Sequence, residues 1–395
     1  MSKQRLWIIS ELFYPDETST GFILTEMANK LVEKYDVHVI CGPEIYDKKK
    51  SRDKNSQQTL DKSISLHRID NINLDKDKLI SRLLRFFVAS QRLYKIAKSH
   101  INKEDKVLLV TNPPLLISLI ANLKKKVGFE FILLVHDVFP ENVLAAGLKI
   151  PRFVYTMTKY VLDKSYAKAD KLIALGRDMK AVLEQKVKGK GKPEICIVEN
   201  WADVDNIHPI ETNPNEKIII GYAGNIGRGQ GLLEFLEVYR QVNNNELSLQ
   251  FWGSGAVENS LKDFVSKHKI RDVKFHGPFF RSQQNEVLNA CDIALVKLAK
   301  NMLGIGVPSK TYNILAAGKP ILYIGHPDSE IALEIKEHNI GFSYDNDNIT
   351  GLIEFLENLN RDNILNLKEK SLNARKLAEN KYSQKVILDK LLNTI

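Results

Sequence analysis

Cysteine is scarce in this chain. There are three in 395 residues, Cys41, Cys196 and Cys291. Each lies in or beside an apolar run, and no two form a CxxC pair. So sparse and odd a set argues against a disulfide framework and fits a reducing cytosol. Long apolar runs are missing too. No segment approaches the ~18 consecutive apolar residues of a membrane-spanning helix, so any bilayer contact is expected to be peripheral. The opening MSKQRLWIISELF has one short apolar run and no small-residue cleavage site. It reads as a first strand and not as a signal peptide. No DxD pattern or His/Cys/Asp/Glu cluster has convincing metal-ligand spacing, so no metal and no resident cofactor are expected. Residues 46–61 have few large apolar side chains and read as a mobile loop.

Charge is plentiful but one-sided. Residues 1–208 carry 35 Lys and Arg against 26 Asp and Glu, the whole of the net +9, while the remainder balances at 22 of each. A basic half suits an anionic partner, such as a phospholipid surface or a phosphate-bearing substrate. A Lys-rich solvated surface accounts for the same count. No aromatic–basic stacking pattern points to nucleic acid.

Short apolar runs alternate with helical patterns throughout. Strands are expected at 7–12, 37–41, 107–110, 131–135, 171–175 and 195–198. After the polar, Pro- and Asn-containing stretch 208–217 the rhythm restarts, with strands at 218–222, 248–252, 273–276, 293–296 and 321–324. Strand–helix alternation implies parallel, doubly wound sheets. The expectation is α/β, with two Rossmann-like domains facing a cleft. The first covers residues 1–208 and the second 209–378, and a terminal helix at 379–395 packs back on the first.

In open parallel sheets, ligands bind beyond the carboxyl ends of the strands. The residues there are distinctive. After 218–222 comes AGNIGRGQGL, with Gly224, Asn225, Arg228 and Gln230. A glycine-rich strand–helix turn lets backbone approach a phosphate, and Arg228 adds a paired charge. A plain turn explains the glycines equally. After 248–252 comes Gly253-Ser254-Gly255, and after 273–276 come Phe279 and Arg281, placed to pack near a base. After 293–296 the loop leads to Pro308-Ser309-Lys310, where a hydroxyl, an ammonium and free amides meet at a helix start. A lysine that early opposes the helix dipole, which points to a use for it.

The run VPSKTYNILAAGKPIL, with AGNIGRGQGL upstream, resembles the donor-binding half of the family 4 retaining glycosyltransferases. More narrowly, it is similar to bacterial polysaccharide-assembly enzymes that add sugars, including N-acetylated deoxysugars, to lipid-linked saccharides. LFYPDETSTGFILTEMANKL, VHDVFPENVLAAG, YAKADKLIALGRDM, VENWADVD and FWGSG extend the likeness along nearly the whole chain. The resemblance implies a GT-B fold with the donor in the second domain and the acceptor mostly in the first. It also implies retention of anomeric configuration without an essential metal. The donor would be a UDP- or GDP-sugar, UDP favoured, serving as co-substrate.

The resemblance also implies roles. Gly21 and Thr20 fall where the family has paired glycines near donor phosphate and acceptor. Glu17 and Thr18 join them as acceptor-side residues, although capping of a helix by Ser19 or Thr20 explains the same segment. His136 stands where a family histidine lies against the donor sugar, Asp137 beside it, and Glu141 is an acceptor candidate. Two departures stand out. Asn225 and Gln230-Gly231 occupy the places of a family Arg and Lys-Gly. Ile305 and Asn313 occupy those of two Glu residues eight apart.

Two stretches, 79–98 and 149–164, read as basic amphipathic helices that could lie on an anionic bilayer. In 79–98, Arg82, Arg85, Arg92 and Lys95 form the basic side, and Leu83, Phe86, Phe87, Leu93 and Tyr94 the apolar one. A domain helix with a solvated basic face explains them as well. The overall expectation is a cytoplasmic enzyme, peripheral on the inner membrane face, that builds capsule, O-antigen or exopolysaccharide. A nucleotide-sugar epimerase on the same fold and a non-catalytic GT-B partner subunit are the rivals. The first lacks acid/base groups on both sides of a sugar. Intact His136, Arg228 and Lys310 oppose the second.

Overall fold

The apolar runs become the cores of two all-parallel sheets. A computed structural model describes residues 3–16, 18–44, 58–72, 79–145, 147–211, 216–360, 362 and 367–395. The first sheet contains β1 (Arg5–Ser10), β2 (Asp36–Cys41), β3 (Ser65–Arg68), β4 (Lys106–Val110), β5 (Glu130–Leu134), β6 (Lys171–Ala174) and β7 (Glu194–Ile197), in the order β3-β2-β1-β4-β5-β6-β7. The second contains β8 (Ile218–Ala223), β9 (Leu247–Trp252), β10 (Val273–Gly277), β11 (Ile293–Lys297), β12 (Ile321–Ile324) and β13 (Gly341–Tyr344), in the order β10-β9-β8-β11-β12-β13. Both orders reverse direction beside the first strand of the sheet, which opens a crevice at its carboxyl edge.

Central strands such as LWIIS in β1 and IALVK in β11 are buried along their length because helices cover both faces. The period of two sorts their side chains. In β12, Ile321 and Tyr323 join the core shared with the first domain, whereas Leu322 and Ile324 join the outer core of the second. Strands β3 and β13 were not foreseen. Both are short edge strands, SLHR and GFSY, with no continuous apolar run.

The helices of the first domain are α1 (Ser19–Leu31), α2 (Leu79–His100), α3 (Pro114–Val127), α4 (Glu141–Ala145), α5 (Arg152–Tyr166) and α6 (Arg177–Val187). Those that follow are α7 (Leu232–Tyr239), α8 (Glu258–Lys267), α9 (Gln284–Asn289), α10 (Lys310–Ala316), α11 (Glu330–His338), α12 (Ile349–Asn358), α13 (Leu367–Asn380) and α14 (Gln384–Thr394). Helix α14 lies against α1, with Lys30 paired to Asp389 at 2.7 Å and Lys390 to Glu199 at 2.6 Å. Arg375 of α13 donates to the carbonyls of Val204, Ile207 and Ala316 at 3.1, 2.7 and 2.8 Å. The connection between the sheets is thereby fastened at its start. Of the stretch 46–61, residues 46–57 lie outside the described residues.

Two expectations for 79–98 need correction. Arg85 does not belong to a solvated basic side: it is buried and pairs with Glu11 at 3.3 Å. Glu11, just after β1, is itself buried, so the guanidinium turns inward to meet its charge. Phe87, in turn, is exposed. The side chains of Arg82 and Leu83 lie outside the described residues.

A buried charge cluster fixes the other stretch. Lys186 of α6, 1% exposed, contacts Asp163 of α5 at 2.6 Å and Glu141 of α4 at 2.9 Å. Lys159 reaches the same two carboxylates at 3.2 and 2.5 Å. Removing Lys186 leaves two carboxylates without their buried counter-charge. We expect Lys186→Ala to cost about 3–5 kcal/mol in urea unfolding, and Lys159→Ala, at the rim, about 1 kcal/mol or less. Equal costs would contradict this placement.

Candidate active site

The carboxyl ends of β8, β9 and β10 stack their turns on one another. Gly224 (φ 132°) donates from N–H to the Trp252 carbonyl at 2.8 Å, and Gly253 (φ 131°) to the Gly277 carbonyl at 2.7 Å. A Cβ on Gly253 would lie 1.9 Å from the Gly224 oxygen, and one on Gly255 2.4 Å from the Ile226 oxygen. The glycines are therefore imposed by backbone meeting backbone. Asn225 is exposed, and its carbonyl accepts from the Tyr222 hydroxyl at 2.5 Å. Arg228–Gln230 form a 3-10 turn closed by Gly231 at φ 63°. Arg228 points outward into solvent, whereas the Gln230 side-chain oxygen is buried without a partner. Lys297, which sequence reasoning missed, lies beneath this turn. It donates to Asn346 at 2.6 Å, and burial pushes its ammonium down to about 8.

Lys310 is the most unusual group here. Pro308 and the helix cap Ser309 lead into α10, and Lys310 is its first residue. The Lys310 Nζ sits 3.3 Å from the centroid of the Tyr222 ring, and its Cδ lies 3.6 Å from where a Gly224 Cβ would be. The nitrogen is buried and has no hydrogen-bond partner among the described residues. Burial therefore holds its pKa well below the usual lysine value. The Tyr222 face offers the cation some relief, but no carboxylate answers it. Buried polar groups are normally satisfied, and this one is not.

Other second-domain candidates are tied to the first domain. The Asn313 Oδ1 accepts from the Asp203 amide at 3.0 Å, so its carbonyl is spent on the connection between the domains. Phe279 packs half-buried against the core. The Arg281 guanidinium lies 3.2 Å above the Phe22 ring of α1. It spans the cleft instead of lying free for a base.

On the facing side, the loop after β5 carries His136 and Asp137. The His136 Nε2 is buried and unpartnered, and burial lowers its pKa to about 4, so the ring is neutral near pH 7. Asp137 forms a backbone bridge with Gly306 and donates from its amide to Thr111 Oγ1 at 3.3 Å. Burial raises its carboxyl, against a hydrogen bond from Asn142. The Val138 amide donates to the Ile305 carbonyl at 2.9 Å. These contacts bring the His136 loop to the segment that leads into Lys310.

The acceptor-side candidates divide. Thr18, not Ser19 or Thr20, caps α1: its Oγ1 accepts from the Gly21 amide at 3.2 Å. Gly21 is required because a Cβ would meet the Asp16 oxygen at 2.4 Å. Thr20 is half-buried on the first turn. Glu17 lies outside the described residues. Both Glu141 oxygens are held by Lys159 and Lys186, which is the cluster that seats α5.

Arg177, in the run YAKADKLIALGRDM, ties the two domains together. It reaches from α6 to Glu330, Glu334 and Glu337 of α11 at 3.0, 3.3 and 2.6 Å. Glu334, Glu337 and His338 form the one group of potential metal ligands close enough together among the described residues, and Arg177 and Lys381 already neutralise it.

The glycine geometry can be checked directly. Gly253→Ala combines a left-handed φ with a backbone clash and should cost about 2–4 kcal/mol in urea unfolding. Gly277→Ala shares a positive φ (80°) but meets nothing within 4 Å, and should cost about 1–2 kcal/mol.

Comparison with known proteins places this geometry. Residues 203–381 match the family described as glycosyl transferases group 1. The chain is 30% identical to the probable glycosyltransferase WbjE of Pseudomonas aeruginosa, over 98% of this chain and 96% of that one. It is 29% identical to the putative colanic acid biosynthesis glycosyl transferase WcaI of Escherichia coli K12, over 33% and 35% of the respective lengths. Among solved structures, sucrose-phosphate synthase from Thermosynechococcus elongatus superposes with a TM-score of 0.76 at 12% identity, covering 99% of this chain and 98% of the other. Anabaena HepE in complex with UDP-glucose gives 0.67 at 12% identity, covering 99% and 100%. At such identity these likenesses establish the fold, two Rossmann-like domains in the GT-B arrangement. Together with the match to WbjE along the chain, they show that this protein belongs to the group 1 glycosyltransferase family.

Proposed function

We propose that the enzyme transfers a sugar, an N-acetylated deoxyhexose or a hexose, from a nucleotide diphosphate to a hydroxyl of a lipid-linked saccharide. The transfer retains anomeric configuration, as the resemblance to family 4 implies, and serves capsule, O-antigen or exopolysaccharide assembly. One observation carries the donor assignment: the buried, unpartnered ammonium of Lys310 beside the Gly224 turn. A diphosphate supplies the missing counter-charge, with Arg228 and the backbone amides of the turn close by. UDP is favoured over GDP, since HepE is described in complex with UDP-glucose. The protein acts at the cytoplasmic face of the membrane; none of the described helices is long and apolar enough to cross it.

His136 suits the sugar side. A neutral ring can hydrogen-bond a sugar hydroxyl, and its lowered pKa keeps it from titrating near pH 7. In the proposed step the bond from the anomeric carbon to the diphosphate oxygen breaks. The acceptor oxygen bonds to that carbon on the same face, and its proton passes to the departing phosphate. Charge builds on the leaving diphosphate, where Lys310 and Arg228 stabilise it electrostatically. No side-chain nucleophile is assigned.

UDP should raise the melting temperature of the protein by several degrees at saturating concentration. Lys310→Ala should weaken UDP binding about 10- to 100-fold while leaving the ligand-free melting temperature equal or higher. Full UDP affinity in that variant would remove Lys310 from the phosphate site. Retention is tested separately by proton NMR of the first-formed glycoside. An inverted anomeric proton coupling would overturn that part.

A further inference from the structure

Helix α5 is built inside out. Its last two turns send polar groups inward: Lys159 and Asp163 join the buried cluster with Lys186 and Glu141, and Ser165 donates to Ser118 of α3 at 3.0 Å. Leu162 and Tyr166 are buried, but four large apolar side chains face out. Phe153 is 74% exposed, Met157 64%, Tyr160 55% and Val161 46%. Their spacing of three, four and eight residues makes one continuous stripe. A soluble helix normally does the opposite, and the charge cluster prevents α5 from rolling this stripe into the core.

The rest of the exposed side is basic. Besides Thr156 it carries only Arg152 and Lys164, with Lys149 exposed just before the helix, and none of its exposed residues is acidic. Lys164 lies 4.2 Å from the Tyr160 ring centroid. An aromatic and aliphatic stripe flanked by cations fits the boundary between headgroups and acyl chains of an anionic bilayer. A second protein with an apolar face of its own would gain nothing from the flanking cations.

Position supports the same occupant. Helix α3 lies against both α2 and α5, and α2 adds Leu84 and Phe87, 52% and 53% exposed. These helices follow strands of a parallel sheet, so their first turns stand at its carboxyl edge, which is the edge of the cleft.

We propose that the outer stripe of α5 is the surface on which the enzyme rests on an anionic phospholipid bilayer, with the cleft mouth turned toward the lipid. This deepens the proposed function, from which it takes the lipid-linked acceptor alone.

The test is flotation of the full chain with vesicles of phosphatidylcholine alone or with phosphatidylglycerol added. Wild-type protein should float with the anionic vesicles, and less so in high salt. Phe153→Glu with Met157→Glu should reduce partitioning on the order of a hundredfold or more. Arg152→Ala and Lys164→Ala should each reduce it about fivefold. Leu372→Glu, at a residue 61% exposed on α13, should change nothing. Unchanged flotation of the Phe153/Met157 double variant would overturn the proposal. So would a concentration-dependent dimer in sedimentation that this variant abolishes without any vesicle binding, since a second copy would then cover the stripe. The UDP-induced thermal shift is read in parallel. If the shift is absent while flotation follows the pattern above, the donor reading fails and the surface stands. If the shift persists while flotation fails, the reverse holds.

Discussion

The candidate active site depends on two sheet edges that are held together by backbone. The amide of Val138 donates to Ile305, and Asp137 bridges Gly306. Those four residues belong to the loops that follow β5 and β11, one from each domain. Whatever those strands carry at their carboxyl ends is therefore brought to one place. The pairing depends on main-chain geometry and not on particular side chains. It requires only that no side chain intrude, and a Cβ on Gly306 would press on the Asp137 carboxylate at 3.2 Å. Arg177, Arg281 and Arg375 add side-chain ties around this contact: to the acids of α11, to Phe22, and to the carbonyls of the connection.

Within that frame, two of the buried polar groups that find no partner among the described residues face each other's loops. The Lys310 ammonium and the His136 Nε2 are both buried and unpartnered. A folded chain tolerates such costs where function repays them. One group calls for an anion. The other, neutral and from the facing domain, suits a polar but uncharged ligand. A nucleotide sugar has both in one molecule, with its diphosphate and its hexose adjacent. That is a more economical explanation than two unrelated defects.

Much of this was legible in the sequence. Central strands announce themselves because burial on both faces forces an apolar run, and the positions after them locate the ligand edge without further knowledge. Gly224, Gly253 and Lys310 are singled out by that route. What the sequence concealed was pairing. Glu141 has the position of an acceptor ligand, but Lys186, which holds it, is 45 residues away. Arg85 has helical spacing with surface cations, yet Glu11 draws it inward. Asn313 stands where the resemblance places a Glu, and spends its carbonyl on Asp203. Edge strands β3 and β13 carry no continuous apolar run. In each case the deciding partner is distant in the chain, and local pattern has no access to it.

The central claim is that the buried Lys310, whose pKa desolvation holds well below the usual lysine value, takes a diphosphate as its counter-charge. Its depressed pKa in the free protein must then rise on binding. Nucleotide affinity should be fully present below the free-state pKa and decline as pH climbs through the bound-state value. Calorimetric titration of UDP near pH 8, in two buffers of different ionisation enthalpy, measures this directly, because the UDP phosphates are already fully ionised there. Net proton uptake by the wild type, lost in Lys310→Met, is the predicted result. Tight UDP binding with the same enthalpy in both buffers across pH 6 to 9 would contradict the account.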